Sequence, residues 1–281
     1  MVAHNGASGA ELSRMLEETA KPKELGPRNR LLAALCPEDL LPLRPHLEHV
    51  PLVDGRVLFE ANEPITHIYF VEAGVVSLTA LFQNGSTAEM ATVGREGMIG
   101  VSSPIGGDAA LGRYVVQAPG SALSMEASRF RGVLRTTPAL FAACQAYARA
   151  FFGQALQTAA CNKVHTVEQR CARWLLMSHD RSESDTFALK QELLAEMLGV
   201  CPRSATVAVG ALQRAGLIRY SRGRLTVLDR PRLETASCEC YPAVRDHLER
   251  LLPRTYEQPL QRAYERPEER SDDRPLAQAF G

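Results

Sequence analysis

Residues 189–228 read LKQELLAEMLGVCPRSATVAVGALQRAGLIRYSRGRLTVL. From Lys190 to Leu198 apolar residues recur at Leu193, Leu194, Met197 and Leu198, the spacing of one helix face. Gly199 stands where a helix ends in the left-handed conformation, and Pro202 where a first helical residue has its φ already set. A second periodic run passes through Ala205, Ala208, Val209 and Leu212 to Gly216. Leu217-Ile218-Arg219-Tyr220 and Leu225-Thr226-Val227-Leu228 then flank Ser221-Arg222-Gly223-Arg224, predicting two short strands around a Gly turn. Helix, tight turn, helix and hairpin make the layout of a winged helix-turn-helix, which predicts a reader of duplex DNA. Between Gly199 and Arg232 the basic residues are Arg203, Arg214, Arg219, Arg222, Arg224, Arg230 and Arg232, and the only acid is Asp229. That local excess suits phosphate neutralisation, which carries most non-specific DNA affinity.

The excess is local because the whole chain is neutral: 32 Lys and Arg balance 32 Asp and Glu over 281 residues. That length predicts about two domains. No apolar run approaches the roughly 18 residues that span a bilayer. No basic segment followed by an apolar core marks the N-terminus as a signal peptide. The seven cysteines are scattered, which suits a reducing cytoplasm better than a disulfide framework.

Upstream of the reader, Asn29–Cys36 and Pro37–Leu47 predict two short helices. The pattern changes near Val50. Strand-like runs follow at Val57–Phe59, His67–Val71, Val75–Leu81, Ala91–Val93, Tyr114–Gln117 and Ala122–Met125, separated by turn residues. This predicts a small β-barrel or roll. Asn84-Gly85 reads as a hairpin turn. Thr137-Pro138 opens a long helix to about Asn162, with Phe141, Cys144, Ala148, Phe151, Ala155 and Thr158 at three- and four-residue steps. That spacing predicts a dimer seam, with packing on the chain's own barrel as the plainer alternative. Val164–Ser178 predicts a further helix, and Leu233–Leu252 a short terminal one. Trp174 reads as packing and Arg173 as a surface charge.

The order of these parts closely resembles the Crp/Fnr superfamily of bacterial transcription regulators, over about Asn29 to Tyr241. Three stretches carry the resemblance: Tyr69-Phe70-Val71-Glu72-Ala73-Gly74-Val75-Val76, Gly97-Met98-Ile99-Gly100-Val101, and Ala195–Val200 through Leu212–Ile218. It implies an α+β chain: an eight-strand-like, cyclic-nucleotide-binding-like jelly roll, a long dimerisation helix and a winged helix-turn-helix. The expected divisions are a disordered segment 1–28, a sensor domain 29–136, the dimerisation helix 137–162, a DNA-binding domain 163–235, and a tail 236–281, mostly disordered after 253. The resemblance further implies a cytoplasmic homodimer on a two-fold operator, modulated through the roll, with double-stranded DNA as partner, RNA polymerase a candidate further partner, and no membrane.

Carried onto this sequence, Pro202, Arg203 and Val207 face base edges, with Ser204 and Thr206 beside them. Lys190, Gln191 and Arg222 fall where family members touch phosphates. Only Arg203 can make a bidentate guanine contact. Better-known members place Arg and Glu in the base-facing trio, so the operator is not inherited. Cys201 replaces the usual Ser or Thr cap and leaves that helix start less well satisfied.

Cyclic-nucleotide-binding members hold phosphate on a short helix with an Arg and hold the ribose hydroxyl on a Glu. Here Gly100, Val101, Arg113 and Tyr114 occupy the candidate ligand-binding positions. Val101 sits at the Glu position and cannot accept from a ribose, so cAMP is not expected and no cofactor is predicted. A different small anion at Arg113, a purely structural roll, or a ligand elsewhere remain the open readings. No cysteine cluster precedes Cys36, which speaks against an N-terminal iron–sulfur cluster. His46 and His49, three apart on a predicted helix, and His67 on a strand are weak haem candidates. Cys238 and Cys240 form the one tight pair. Two ligands without a partner pair do not close a zinc site, so no metal is predicted, and a redox role for the pair is the remaining alternative. An enzyme on a cupin-like roll would need a His-x-His set with Glu, and only His67 is expected on a strand. No catalytic residue is predicted.

Overall fold

The structure is a computed structural model that describes residues 27–252 except Glu183. The expected disordered segments, apart from Pro27 and Arg28, lie outside the described residues. Two short helices, α1 (Arg30–Ala33) and α2 (Pro37–Leu40), precede the sheet. Asn29 welds them to it. Its Oδ1 accepts from the N–H groups of Leu31 and Leu32, and its Nδ2 donates to the carbonyls of Val71 and Gly97 at 2.9 and 2.7 Å. His46 lies in a 3-10 turn and His49 in a strand, so the two do not share a helix, and His67 is not the only histidine on a strand. Both His49 and His67 are exposed.

The roll is one antiparallel sheet of β1 (Glu48–Leu52), β2 (Val57–Phe59), β3 (His67–Leu81), β4 (Thr87–Val93), β5 (Met98–Ile99) and β6 (Arg113–Glu126). Among the described residues it has six strands, fewer than the eight-strand-like reading because two of them each serve two sides of the roll. The runs at His67–Val71 and Val75–Leu81 belong to one strand, as do those at Tyr114–Gln117 and Ala122–Met125. These two long strands pair throughout but slip register between Val71 and Val76. Gly74 adopts φ +91° there, and a Cβ on it would come within 2.6 Å of the Ala118 carbonyl. The bulge bends the pair so that each strand serves two sides of the roll. The Asn84-Gly85 hairpin forms as expected, with Asn84 Oδ1 accepting from the Ser86 N–H at 3.0 Å.

α3 (Ala127–Thr136) and α4 (Pro138–Val164) follow. Cys144, Ala148, Phe151 and Thr158, expected on a dimer seam, are buried within the chain itself. Of the six expected seam residues only Phe141 is exposed. The seam reading fails there because residues at alternating three- and four-residue steps serve internal packing equally well: Cys144, Ala148 and Phe151 cover the roll, and Thr158 meets Arg173 of the next helix. The exposed face of α4 instead carries Phe141, Gln145, Arg149, Phe152, Leu156 and Ala159.

The C-terminal part comprises α5 (Val167–Arg181), β7 (Thr186–Ala188), α6 (Gln191–Leu198), α7 (Pro202–Arg214), β8 (Ile218–Ser221), β9 (Arg224–Val227), α8 (Arg230–Ala236) and α9 (Cys240–Leu251). A capping box between Thr166 and Gln169 starts α5. The sheet order is β7-β9-β8, so the wing has a third strand. The expected terminal helix is two helices, broken at Ser237-Cys238-Glu239, and α9 lies along α4. Arg30 anchors its far end with two bonds to the Glu249 carboxylate, at 3.2 and 3.1 Å.

Candidate nucleic-acid interface

Gly199 turns left-handed at φ 60° and separates α6 from α7 at 102°. Pro202 starts α7 as expected. Cys201 makes no side-chain capping bond, and its thiol is held below its ordinary range by the Ser204 hydroxyl. Ala205, Ala208, Val209 and Leu212 point into a core shared with α5 and α6. The opposite side of α7 is therefore free: Arg203, Thr206 and Val207 are exposed, and Ser204 is half-buried. Gln191 Nε2 donates to Thr206 Oγ1 at 2.9 Å, and that hydroxyl donates to the Pro202 carbonyl. This pair locks the start of α6 to α7. Lys190 is exposed and lies 3.4 Å from Asp54 of the roll.

The wing turn has Arg222 at φ 50° and Gly223 at φ 72° between the paired residues Ser221 and Arg224. Positive φ at both central positions defines a type I′ turn. Arg214, Arg219 and Arg224 are exposed as well. Arg230 is not available to phosphate: it reaches Asp180 at 2.6 Å, Glu234 at 3.0 Å and the Tyr241 hydroxyl at 2.5 Å. Arg232 pairs with Asp229.

The candidate ligand positions in the roll sit in packed surroundings. Val101 and Tyr114 are buried in one core, and the Tyr114 ring meets Phe59 edge-on with centroids 6.3 Å apart. Burial pushes the Tyr114 phenol well up. A Cβ at Gly100 would lie 2.6 Å from Ile68 Cδ1. Arg113 pairs with Glu60 at 3.2 Å. A cleft of about 230 Å³ opens elsewhere, beside Arg56, His67 and Tyr69, and none of these four positions lines it.

Two family descriptions match the chain: a cyclic nucleotide-binding domain over residues 49–137, and a Crp-like helix-turn-helix domain over residues 169–236. The chain belongs to the Crp/Fnr superfamily. It is a DNA-binding transcription regulator of that superfamily. Among solved structures, FixK2 from Bradyrhizobium japonicum superposes with a TM-score of 0.60 at 16% identity, covering 68% of this chain and 98% of that one. A crp/fnr family regulator from Eubacterium rectale gives 0.57 at 19% identity, over 72% and 94%. The c-di-GMP responsive regulator CLP from Xanthomonas campestris gives 0.55 at 16%, over 68% and 98%. At these identities the likeness concerns the fold. No curated protein sequence matches the chain.

Within this Crp/Fnr chain, residues that sequence reasoning missed join the roll to the reader. Glu89, buried on β4, accepts from the Trp174 indole at 3.1 Å and lies 2.8 Å from the Ser77 hydroxyl. Ser77 is also 2.7 Å from Gln117 Oε1. One hydroxyl proton cannot serve both acceptors. A protonated Glu89 donating to Ser77, with Ser77 donating to Gln117, satisfies all three. Burial raises the Glu89 carboxyl to about 7, despite opposing bonds from Ser77 and Trp174 and the charges of Arg173 and Arg181. Glu96 behaves in the opposite way. Burial would raise it, but Arg181, bonded at 2.9 and 2.6 Å, holds it below the carboxylate range. Arg173, expected on the surface, is buried and donates to Thr158 Oγ1 at 3.4 Å. The Cys238–Cys240 pair does have partners: Cys161 and His165 close on it. A separation of more than 70 residues hid them from any spacing rule, and their presence corrects the argument that the pair stands alone.

Among the described residues no single helix is long and apolar enough to cross a membrane. The bent pair α6 and α7 reaches that composition only when joined.

Proposed function

We propose that this regulator acts as a homodimer on a two-fold operator, with α7 reading the major groove and the wing holding phosphate. The observation that carries this reading is the uncovered side of α7, where Arg203 and Val207 stand exposed above a tightly packed opposite face. Val207, at 54% exposure, has the apolar surface to meet a thymine methyl. Dimerisation is supported by the exposed stripe on α4, where Phe152 and Leu156 are 40% and 72% exposed. The chain works by binding and not by catalysis, and RNA polymerase is its candidate further partner.

The roll is proposed to act without a cyclic nucleotide. Tyr114 and Val101 fill its interior, and Arg113 is paired with Glu60. A signal reaching the roll would pass to the reader through the Glu89–Trp174 and Glu96–Arg181 contacts.

A gel-shift salt series on genomic fragments tests the DNA reading. The logarithm of affinity should fall linearly with the logarithm of salt, by about 0.9 per phosphate contacted, and a flat response rejects it. Sedimentation equilibrium should give a dimer. cAMP and cGMP should leave the melting temperature unchanged.

A further inference from the structure

At the C-terminal corner lies a group of side chains that DNA reading does not use. Cys161, on the last turn of α4, and His165, its cap residue, are four apart and project to one side. Cys238 lies in the bend between α8 and α9, and Cys240 opens α9. Cys161 Sγ is 3.5 Å from Cys238 Sγ, and Cys240 Sγ is 3.6 Å from His165 Nδ1. All four ligand atoms lie within 4.8 Å of one another. We propose that Cys161, His165, Cys238 and Cys240 bind one zinc ion that clasps the terminal helix α9 to the end of α4.

The spacings fit a single tetrahedral ion. Zinc–sulfur bonds of about 2.3 Å and zinc–nitrogen bonds of about 2.0 Å put ligand atoms roughly 3.5–3.8 Å apart. A disulfide would need the two sulfurs to close to about 2.05 Å, and would leave Cys240 and His165 without a role. An iron–sulfur cluster places several atoms between its cysteines and holds their sulfurs further apart than this. Three thiols and one imidazole form a closed structural set for zinc, with no open position for chemistry.

Groups behind the ligands point the same way. His165 Nε2 is 3.1 Å from the Glu239 carboxylate. As a donor to that carboxylate, the ring leaves the Nδ1 lone pair facing the cysteines, the arrangement that orients zinc-bound histidines. Gln157 Nε2 donates to Cys240 Sγ at 3.0 Å. Binding releases three thiol protons to solvent, and the resulting centre carries one net negative charge. Arg173 stands ready to balance it. Arg173 is only 5% exposed, bonds only Thr158 Oγ1 and Met177 Sδ among the described residues, and its Nε has no partner. Its charge acts on both Cys161 and Cys238. The three thiols also form a buried cluster of their own, separate from the two larger cores. The ion would thus hold the point where α4 passes into the DNA-binding unit.

The test uses the full-length protein, reduced and reconstituted with Zn²⁺. Elemental analysis should find one zinc per chain that survives gel filtration. Co²⁺ in its place should give a thiolate charge-transfer band and the strong visible bands of a tetrahedral site, both lost when zinc is added. Cys238→Ser and His165→Ala should abolish these signals, while Cys36→Ser and Cys201→Ser keep them. Glu239→Gln should weaken zinc binding roughly 10- to 100-fold. Substoichiometric zinc after reconstitution, full stoichiometry in Cys238→Ser, or a Cys161–Cys238 disulfide with no cobalt bands each overturns the proposal. If the ligand variants fail to fold, the wild-type cobalt spectrum alone decides it.

Discussion

Arg222 occupies a backbone position that asparagine or glycine would hold at less cost. Its φ of 50° places a long side chain in the left-handed region, a penalty of about 1–2 kcal/mol. Such strain at an exposed turn points to a use for the side chain. Arg222→Asn should therefore raise stability by about 1 kcal/mol in urea denaturation while lowering affinity for all DNA sequences alike. The salt slope should become shallower by about one. Arg203→Ala should behave differently. It should remove roughly 1–3 kcal/mol of discrimination at one base pair, measured by competition between operator variants, with little change in non-specific binding. Equal losses of specific and non-specific binding would show that α7 does not sit in the groove as proposed. Both residues were legible in the sequence, because Gly199, Pro202 and Gly223 fix the turns on either side of them. The left-handed strain at Arg222 was not legible, since a Gly turn can be built in several ways.

Among the elements, α4 shows why periodicity alone misassigns a surface. Its Cys144, Ala148 and Phe151 face the roll and its Thr158 meets Arg173 of α5, its Gly153 and Gln157 meet α9, and Phe152 and Leu156 remain outside. A helix with three apolar or semi-polar faces has no single stripe to read, so the steps identify a buried face but not its partner. Leu156→Glu should convert the proposed dimer to a monomer in sedimentation, with far-UV circular dichroism unchanged. Ala148→Glu, in the apolar core, should unfold the chain instead. The strands were misread for a related reason. Glu72-Ala73-Gly74 looks like a break between strands, and only the facing bend at Gly120 shows that one strand passes through it. There a Cβ on Gly120 would come within 2.1 Å of the Ala73 carbonyl. The domain order and the reader came directly from local signals. The contacts between distant segments did not.

At the scale of the whole molecule, roll and reader share a buried polar seam whose state depends on pH. Glu89 titrates at about 7 in the fold against an ordinary value of 4.5. Below about 4.5 it is protonated in both folded and unfolded chains. Between 4.5 and 7 only the folded chain keeps the proton, so stability falls as pH rises, by on the order of 3 kcal/mol in total. Glu89→Gln should remove that loss, so the stability difference between variant and wild type should grow from pH 5 to pH 8. A difference that stays constant over this range would mean that Glu89 is ionised throughout. Arg181→Ala should cost about 3–5 kcal/mol by stranding Glu96. The three distinct sides of α4, one toward the roll, one toward α9 and one outward, have a consequence for the chain's history. Each residue added to a helix turns all that follows by about 100°. One insertion between Tyr147 and Phe152 would swing the outer stripe toward α9 and carry Cys161 and His165 away from Cys238 and Cys240. Relatives of this chain should therefore vary in length in their loops and ends while keeping this one helix to a fixed residue count.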